Sequence, residues 1–277
     1  MPIAPILLAS RGISGERDPS RLKTGDLSSG YNVDFSAGYL VQKAGGSTKI
    51  NTTAISSSPS IVTGTEWVPS SGTFRRVIVT SDGRIIKDDM SGAFATTLKS
   101  GLTASNNPVI IAGGNEVAGN NRKLFIYTGN NAVQVLSADG ATTSNITTPH
   151  GDWSGANQPS FGFPFRNSIL SAGNLNEPHR LYASQVTDHE NLTGAGSFTI
   201  LAYPGESQRI VAGIASISRA FFWKYPWGVY WVNDTDTATA NWFVQPATHQ
   251  FGAAPTPHAV TQVDQGTVAF VTNGGDI

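Results

Sequence analysis

The 277-residue chain contains no cysteine and little charge. Without cysteine it can form neither a disulfide framework nor a thiolate nucleophile. Charged residues make up 13% of the sequence, about half the usual share, and 18 basic residues almost balance 19 acidic ones. Proteins that bind nucleic acid through its phosphates are clearly basic, so this balance argues against that class.

Long apolar runs are also lacking. No stretch of 18 consecutive apolar residues occurs, so we predict no membrane span. The short apolar run near the N-terminus has no basic residue before it, unlike a secretory signal peptide. We therefore expect synthesis in a cytoplasm.

The residues that are abundant favour an all-β protein. The chain has 30 glycines, many serines, threonines and asparagines, and 39% hydrophobic residues. This is enough apolar material for a core, so disorder is not favoured. The frequent turn formers argue against a helical bundle. Low charge also suits a surface that packs against neighbours.

The most apolar stretch of the chain is Arg209–Asp236. Its residues are largely aromatic or β-branched, as strands prefer. Pro226 and Gly228 interrupt it and exclude a stable helix. We therefore predict two strands, Ala220–Trp223 and Val229–Val232, joined by a tight turn. Both faces of this hairpin are apolar, which predicts a sheet covered on both sides.

Similar hairpins recur along the chain. Their first strands are placed at Val77, Leu124, Ile169, Phe221 and Val268, at intervals of 45 to 52 residues. A period of roughly 40–50 residues is typical of β-propeller blades, which have four strands each. Between the hairpins we predict further strands at Val109–Ala112, Ser197–Ala202, Trp242–Val244 and Ala259–Val263. The predicted fold is all-β, with β-propeller-like repeats of hairpins after an extended N-terminal arm; an irregular β-sandwich is the alternative.

Within this pattern the Asp82-Gly83 pair predicts a type I′ turn. Residues 51–72 are rich in serine, threonine and proline and predict a loop with one short strand. The Gly113-Gly114 pair predicts another turn, since no Lys-Ser/Thr follows it as a P-loop would require.

We predict two domains. Residues 1–50 form an arm with a docking hairpin, whose strands are Tyr31–Phe35 and Tyr39–Gln42. Residues 51–277 form the propeller blades. The last residues, Gly274–Ile277, look like a hairpin turn whose second strand is interrupted. We therefore expect an incomplete last blade, which further chain or another molecule completes.

Two stretches resemble structural proteins of tailed bacteriophages. The first comprises Ile13–Leu27 and Tyr31–Gly45, with an Asp-Pro pair, a Leu, an Asn-Val pair and spaced glycines. It resembles the opening of several tail and portal-associated proteins. The second, Asn176–Ser184 with the aromatic hairpin and Gly266–Ile277, resembles the propeller repeats of podovirus nozzle and stabilization proteins.

This resemblance implies a structural component of the virion tail. It implies a homo-oligomer, most simply a hexamer, that forms a tube under the portal and adaptor ring and contacts other tail proteins. Nozzle proteins are usually longer than this chain. A conduit must let DNA pass without binding it specifically, and the near-neutral composition fits a lumen of this kind.

No motif predicts a metal or cofactor site. His179 and the run Asp188–Glu190 do not have the spacing of zinc ligands, and we interpret them as part of a polar loop. Asp234 and Asp236 lack the further oxygen ligands that calcium requires and suit an Asx turn. The sequence thus predicts no metal and no cofactor.

We also predict that the protein is not an enzyme. There is no Gly-x-Ser-x-Gly elbow, and all five histidines fall in predicted loops. A glycan hydrolase, the third hypothesis, would need two carboxylates facing one sugar. Residues 137–142 partly match the sialidase Asp-box, but one residue is missing and no aromatic follows.

Five aromatic residues of the central hairpin allow a binding alternative. Trp223, Tyr225, Trp227, Tyr230 and Trp231 could form a stacking platform or belong to the core. We predict that Trp223 and Trp231 are core residues and that Trp227, at the turn, is exposed. If the aromatic residues bind ligand, the chain is a carbohydrate- or receptor-binding propeller of the tail.

Overall fold

The computed structural model describes two compact units, Met1–Ile50 and Asn51–Ile277. The described residues are 33–34, 42–43, 53–69, 74–88, 93–105, 107–113, 122–186, 188–203, 208–217, 219–236, 241–264 and 266–274. In the first unit, β1 (Val33–Asp34) pairs antiparallel with β2 (Gln42–Lys43). Strand β1 lies within the first predicted strand, whereas β2 overlaps the second predicted strand only at Gln42; the rest of the arm lies outside the described residues.

The second unit consists of antiparallel sheets in which the strands follow one another in chain order. Blade A comprises β3 (Ile61–Trp67), β4 (Arg75–Thr80), β5 (Ile85–Asp88) and β6 (Thr96–Lys99), and blade B comprises β7 (Val109–Gly113), β8 (Lys123–Tyr127), β9 (Gln134–Leu136) and β10 (Thr143–Asn145). Blade C comprises β11 (Phe161–Phe165), β12 (Ser168–Ala172), β13 (Arg180–Ala183) and β14 (Phe198–Leu201), and blade D comprises β15 (Arg209–Ser216), β16 (Arg219–Tyr225), β17 (Val229–Asn233) and β18 (Phe243–Thr248). In the described part of blade E, β19 (Val260–Gln262) follows a 3₁₀ turn, Pro257–Ala259, and pairs with β20 (Val268–Phe270).

The blades succeed one another as in a β-propeller. The first strands of blades A to E contact each other in sequence, β3 with β7, β7 with β11, β11 with β15 and β15 with β19. The predicted hairpins form the second and third strands of blades A to D, and the last predicted hairpin supplies β20. The prediction of an all-β propeller is confirmed.

The core lies between the blades, in four clusters. Each cluster consists of side chains from two successive blades packed together: A–B, B–C, C–D and D–E. Successive residues of a strand point to opposite faces of the sheet, so a middle strand contributes to two clusters. Phe222 of β16 belongs to the C–D cluster and the next residue, Trp223, to the D–E cluster. This confirms that the aromatic hairpin is covered on both sides.

Three first strands differ from the predictions. One is β15, which falls in the most apolar stretch but was not itself predicted as a strand. The structure has a seven-residue strand, β3, where the sequence predicted a loop and a short strand. Its threonines and Glu66 are polar, but the backbone pairs with β4 along its length. Strand β11 was not predicted because it contains Gly162 and Pro164. Proline is tolerated here because β11 is an edge strand, bonded only to β12.

The fourth strands of blades A and B were also missed. They are β6 and β10, which are short and rich in threonine, and half or more of each is exposed. Their side chains carry no apolar alternation, which is the signal that identifies a strand in sequence. Their backbone ladders to β5 and β9 define them instead.

Two turn predictions are corrected. Gly83 has φ +77°, whereas Asp82 does not have a positive φ, so the turn is not type I′. The Gly83 N–H donates to the Thr80 carbonyl (3.0 Å), as in a three-residue hairpin loop that ends in a glycine bulge. Gly113 is not in a turn but is the last residue of β7, paired with Lys123; Gly114 lies outside the described residues.

Candidate functional site

One end of the propeller collects two sets of loops. In an antiparallel meander the loops after the second and fourth strands leave the sheet at the same end. We call this end the loop face; its described residues are 81–84, 100–105, 107–108, 128–133, 146–160, 173–179, 202–203, 208, 226–228, 249–259 and 271–274. Loops carried by a rigid scaffold are where binding residues concentrate.

A cavity of about 250 Å³ lies at the loop face between blades B, C, D and E. Its polar side chains are small hydroxyls and amides, contributed by Ser105, Asn107, Thr128, Asn130, Ser160 and Asn174. Leu175, Pro255 and Pro257 add apolar surface. Arg209, the first residue of β15, is the one charged residue of this lining.

Arg209 differs from the other arginines of the described residues. Most have recorded partners: Arg76 binds Glu66 and Asp88, Arg84 binds Asp82, Arg166 binds Asp234, Arg180 binds Asp152, and Arg219 lies over the Trp231 ring. The side chain of Arg209 is exposed and has no carboxylate within ion-pair distance among the described residues.

Hydrogen bonds hold the cavity lining in place. Asn174 is buried, and its amide group donates to the carbonyls of Asp152 (3.2 Å) and Asn157 (3.0 Å). Thr128 accepts hydrogen bonds from the backbone and side chain of Asn131. Gly173 has φ +83°, and a Cβ there would overlap the Ser160 hydroxyl. The lining is thus set by the fold before any ligand binds.

Three exposed aromatic rings lie at the blade D part of the loop face. They are Tyr203 (39% exposed), Trp227 (49%) and Phe251 (50%). The Gly228 N–H donates to the Phe251 carbonyl (2.7 Å), which joins the β16–β17 turn to the loop after β18. The Tyr203 ring lies 5.3 Å from that of Tyr230 and 6.4 Å from that of His249.

The tryptophans of the central hairpin have three different environments. Trp223 is buried and Trp227 is exposed, as predicted. Trp231 was predicted to be core but is only half-buried, and the Arg219 guanidinium lies 4.2 Å above its ring. It lies on the third strand of blade D. The Trp223 ring, by contrast, lies 5.5 Å from the Phe270 ring of blade E.

Polar contacts join blades B and C. Lys123 Nζ lies 2.6 Å from Glu190 Oε1, and both side chains are largely buried. The Tyr127 hydroxyl lies 2.9 Å from Ser171 Oγ, and burial raises the pKa of Tyr127. These contacts involve ionisable and hydroxyl side chains, but each of these side chains already has an ion-pair or hydrogen-bond partner within the protein.

The loop before β11 is attached to blade C in the same way. Asp152 accepts hydrogen bonds from Arg180 Nη1 (2.7 Å) and the Tyr182 hydroxyl (3.0 Å). Burial and the nearby Asp152 carboxylate raise the pKa of Tyr182, so this phenol is held as a hydrogen-bond donor.

The residues considered as metal ligands are not brought together. Glu190 forms the ion pair with Lys123, and His189 Nε2 lies 2.9 Å from the Asn167 carbonyl. Burial lowers the pKa of His189. The described residues contain no group of three or more histidines and acids placed to hold a metal ion. Nor does any described helix have the length and apolarity to cross a membrane.

The predicted Asx turn is corrected. Asp234 binds Arg166, and Asp236 accepts from Asn241. Asn233 forms the turn instead, since its Oδ1 accepts from the Thr235 N–H (3.2 Å). In the stretch that partly matches an Asp-box, hydrogen bonds from Ser137 and the Ala141 N–H lower the pKa of Asp139.

Sequence reasoning missed the cavity and Arg209. An isolated basic residue at the start of a strand has no distinguishing pattern, and the lining residues come from four blades that are far apart in sequence. Only the exposed Trp227 was found, because a turn between two apolar strands predicts exposure.

The described fold is that of a β-propeller, and comparisons with known proteins find similarity in fold only. No family model and no curated protein matches the chain. Among solved structures, BBS1N in complex with ARL6DN is 12% identical, with a TM-score of 0.46, covering 81% of this chain and 63% of that one. The β-propeller domain of Cps50 (Swd1) from Myceliophteria thermophila is 9% identical, with a TM-score of 0.39, covering 79% and 73%. YCF48 from Cyanidioschyzon merolae is 12% identical, with a TM-score of 0.37, covering 64% and 58%.

The chain spans less than two thirds of the BBS1N chains that it matches, 63% and 64% of their length. At 9–12% identity these likenesses carry no information on ligands or partners.

Proposed function

We propose that the protein is a structural component of a short bacteriophage tail. In this proposal identical copies, six by the family resemblance, form a ring under the portal and adaptor proteins. The ring surrounds the path by which DNA leaves the virion. The protein acts by assembly and is not an enzyme.

One observation carries the proposal: residues of the phage-like motif Asn176–Ser184 make structural contacts. Arg180 and Tyr182 of this motif, both on β13 of blade C, bind Asp152 in the loop between blades B and C. Because Tyr182 is fully buried, the motif fastens the loop between blades B and C to blade C and does not present a reactive group. A tail tube must withstand load without changing shape, and contacts of this kind suit that task.

The proposed DNA path runs between copies. The cavity between the innermost strands of blades B to E has a volume of about 440 Å³ and is lined mainly by apolar residues such as Phe161, Phe163 and Ile214. At about 30 Å³ per water molecule it holds roughly 15 waters, far too little for a DNA duplex. The near-neutral chain would add few phosphate contacts along a shared lumen.

The test is reconstitution on the virion's own adaptor or portal ring. The purified full chain is mixed with the ring and imaged by electron microscopy, with the ring alone as the control. We expect a closed ring of copies on the adaptor and weak binding of duplex DNA at physiological salt. A chain that stays monomeric beside the ring, or that binds duplex DNA tightly, contradicts the proposal.

A second candidate is a carbohydrate- or receptor-binding tail propeller. The exposed rings of Tyr203, Trp227 and Phe251 on the loop face favour it, since exposed aromatic residues mark binding surfaces. Trp227→Ala separates the two functions. Loss of binding to host cells with normal ring assembly supports the receptor function, whereas normal cell binding by the variant opposes it.

A further inference from the structure

We propose that the loop-face cavity binds a carboxylated monosaccharide unit, such as a uronic acid of an acidic surface polysaccharide. The proposal deepens the second candidate function, on which it rests for the choice of a glycan, and it is independent of ring assembly. Its two parts are a charged anchor, Arg209, and a lining of neutral hydrogen-bonding groups.

Arg209 supplies the charged anchor, because it is the charged residue of the cavity lining. Its side chain is exposed at the cavity and has no recorded hydrogen bond or ion pair among the described residues. A guanidinium presents two parallel N–H donors that match the two oxygens of a carboxylate. A carboxylate is therefore the ligand group that Arg209 recognises best.

The rest of the lining suits hydroxyl groups. No hydrogen bond is recorded from the side chains of Asn107 and Ser160 to any described residue. An amide and a hydroxyl can each donate and accept, as the hydroxyls of a sugar ring require. The lining also contains hydrogen-bond acceptors. A phosphate or sulfate presents only oxygen acceptors and would leave these groups without a donor.

The dimensions and rigidity of the cavity favour one sugar ring. About 250 Å³ is the share of roughly eight water molecules at about 30 Å³ each. Asn174 and Thr128 are fixed by bonds to neighbouring loops. A lining fixed in advance reduces the entropy lost on binding, which matters for a small and strongly hydrated ligand.

The test is a titration of the full chain with D-glucuronic acid, in which saturation-transfer NMR measures binding. D-glucose is the uncharged control ligand and inorganic phosphate the plain anion. Arg209→Gln should weaken glucuronate binding at least tenfold. Arg219→Gln is the matched control, because it removes the same charge from an arginine that lies over Trp231, and it should change binding less than twofold.

Each alternative outcome overturns the proposal. These outcomes are no glucuronate binding to the unmodified chain, equal binding of glucose, phosphate binding as tight as that of glucuronate, or unchanged affinity in Arg209→Gln. Thermal melting of both variants verifies that they fold. Ring assembly on the adaptor is measured on the same samples: loss of sugar binding with intact rings leaves the tail function standing, and failed rings with intact sugar binding leave this site standing.

Discussion

The interface between blades B and C and that between blades C and D are built from equivalent strands but differ in chemistry. The C–D interface is rich in aromatic residues, with Phe161, Phe163 and Phe222 at its centre. The B–C interface adds buried polar contacts to its apolar cluster, above all that of Lys123 with Glu190. Both join neighbouring blades, and neither chemistry is required by the fold itself.

The difference teaches how each interface responds to change. Apolar burial is non-directional and roughly proportional to area, so the C–D interface depends on volume and shape. Buried polar groups contribute little net stability when paired, but they are costly when one partner is lost. The B–C interface should therefore be sensitive to the removal of single polar groups and to pH.

The largest effect is expected at the centre of the C–D interface. Phe222 is fully buried and its ring stacks on that of Tyr230 at 5.4 Å. Phe222→Ala should lower the free energy of unfolding by about 3–5 kcal/mol, because it removes apolar contacts and leaves a cavity. Urea unfolding measures this. Phe243→Ala, on a ring that is 49% exposed, is the control and should cost far less; equal losses would contradict the assignment.

The next effect is expected at the ion pair of the B–C interface. Lys123→Met leaves the Glu190 carboxylate largely buried without its cation, and should cost about 2–3 kcal/mol. The double variant Lys123→Met/Glu190→Gln should recover part of this loss, since it removes the uncompensated charge. A double-mutant cycle by urea unfolding checks the coupling, and additive losses would show that the two side chains do not interact.

A pair of glycines compares the two interfaces by overpacking. At Gly213 a Cβ would overlap the Phe163 ring, and at Gly113 it would lie 2.6 Å from the end of the Ile169 side chain. Gly213→Ala should cost about 1–3 kcal/mol. Gly113→Ala should cost less, because a terminal methyl group moves more easily than a packed ring. Thermal melting of both variants decides the order, and the reverse order would refute this difference in rigidity.

The smallest effect is a pH dependence at the B–C interface. Burial of His189 lowers its pKa from the usual value of 6.5, so the unfolded chain takes up a proton more readily than the folded one. Stability from this group is complete above about pH 6.5 and is lost as pH falls through the lowered folded pKa. His189→Gln should flatten this part of the stability curve in urea titrations between pH 7 and pH 5. A variant whose curve keeps the same slope would exclude His189 as the cause.

Local sequence patterns were sufficient to predict the hairpins. Short runs of β-branched and aromatic residues on either side of the turn at Gly83, and on either side of Pro226 and Gly228, are signals carried by a few neighbouring residues. They led to β4, β5, β16 and β17 and, through their spacing, to the propeller. The exposure of Trp227 followed from the same turn.

The remaining features depended on tertiary structure. Strands β3, β6 and β10 lack a local signal, because pairing with partner backbones and not their own side chains makes them strands. Strand β11 carries alternating buried phenylalanines, but its Gly162 and Pro164 argued against a strand in the sequence. The half-burial of Trp231 depends on its folded surroundings, where the Arg219 guanidinium lies over its ring. The place of Arg209 in a cavity built by four blades depends on contacts between residues far apart in the chain. Sequence by itself thus determined the repeating unit. Packing of these units against one another decided which side chains are buried in the core, which form ion pairs and which are exposed.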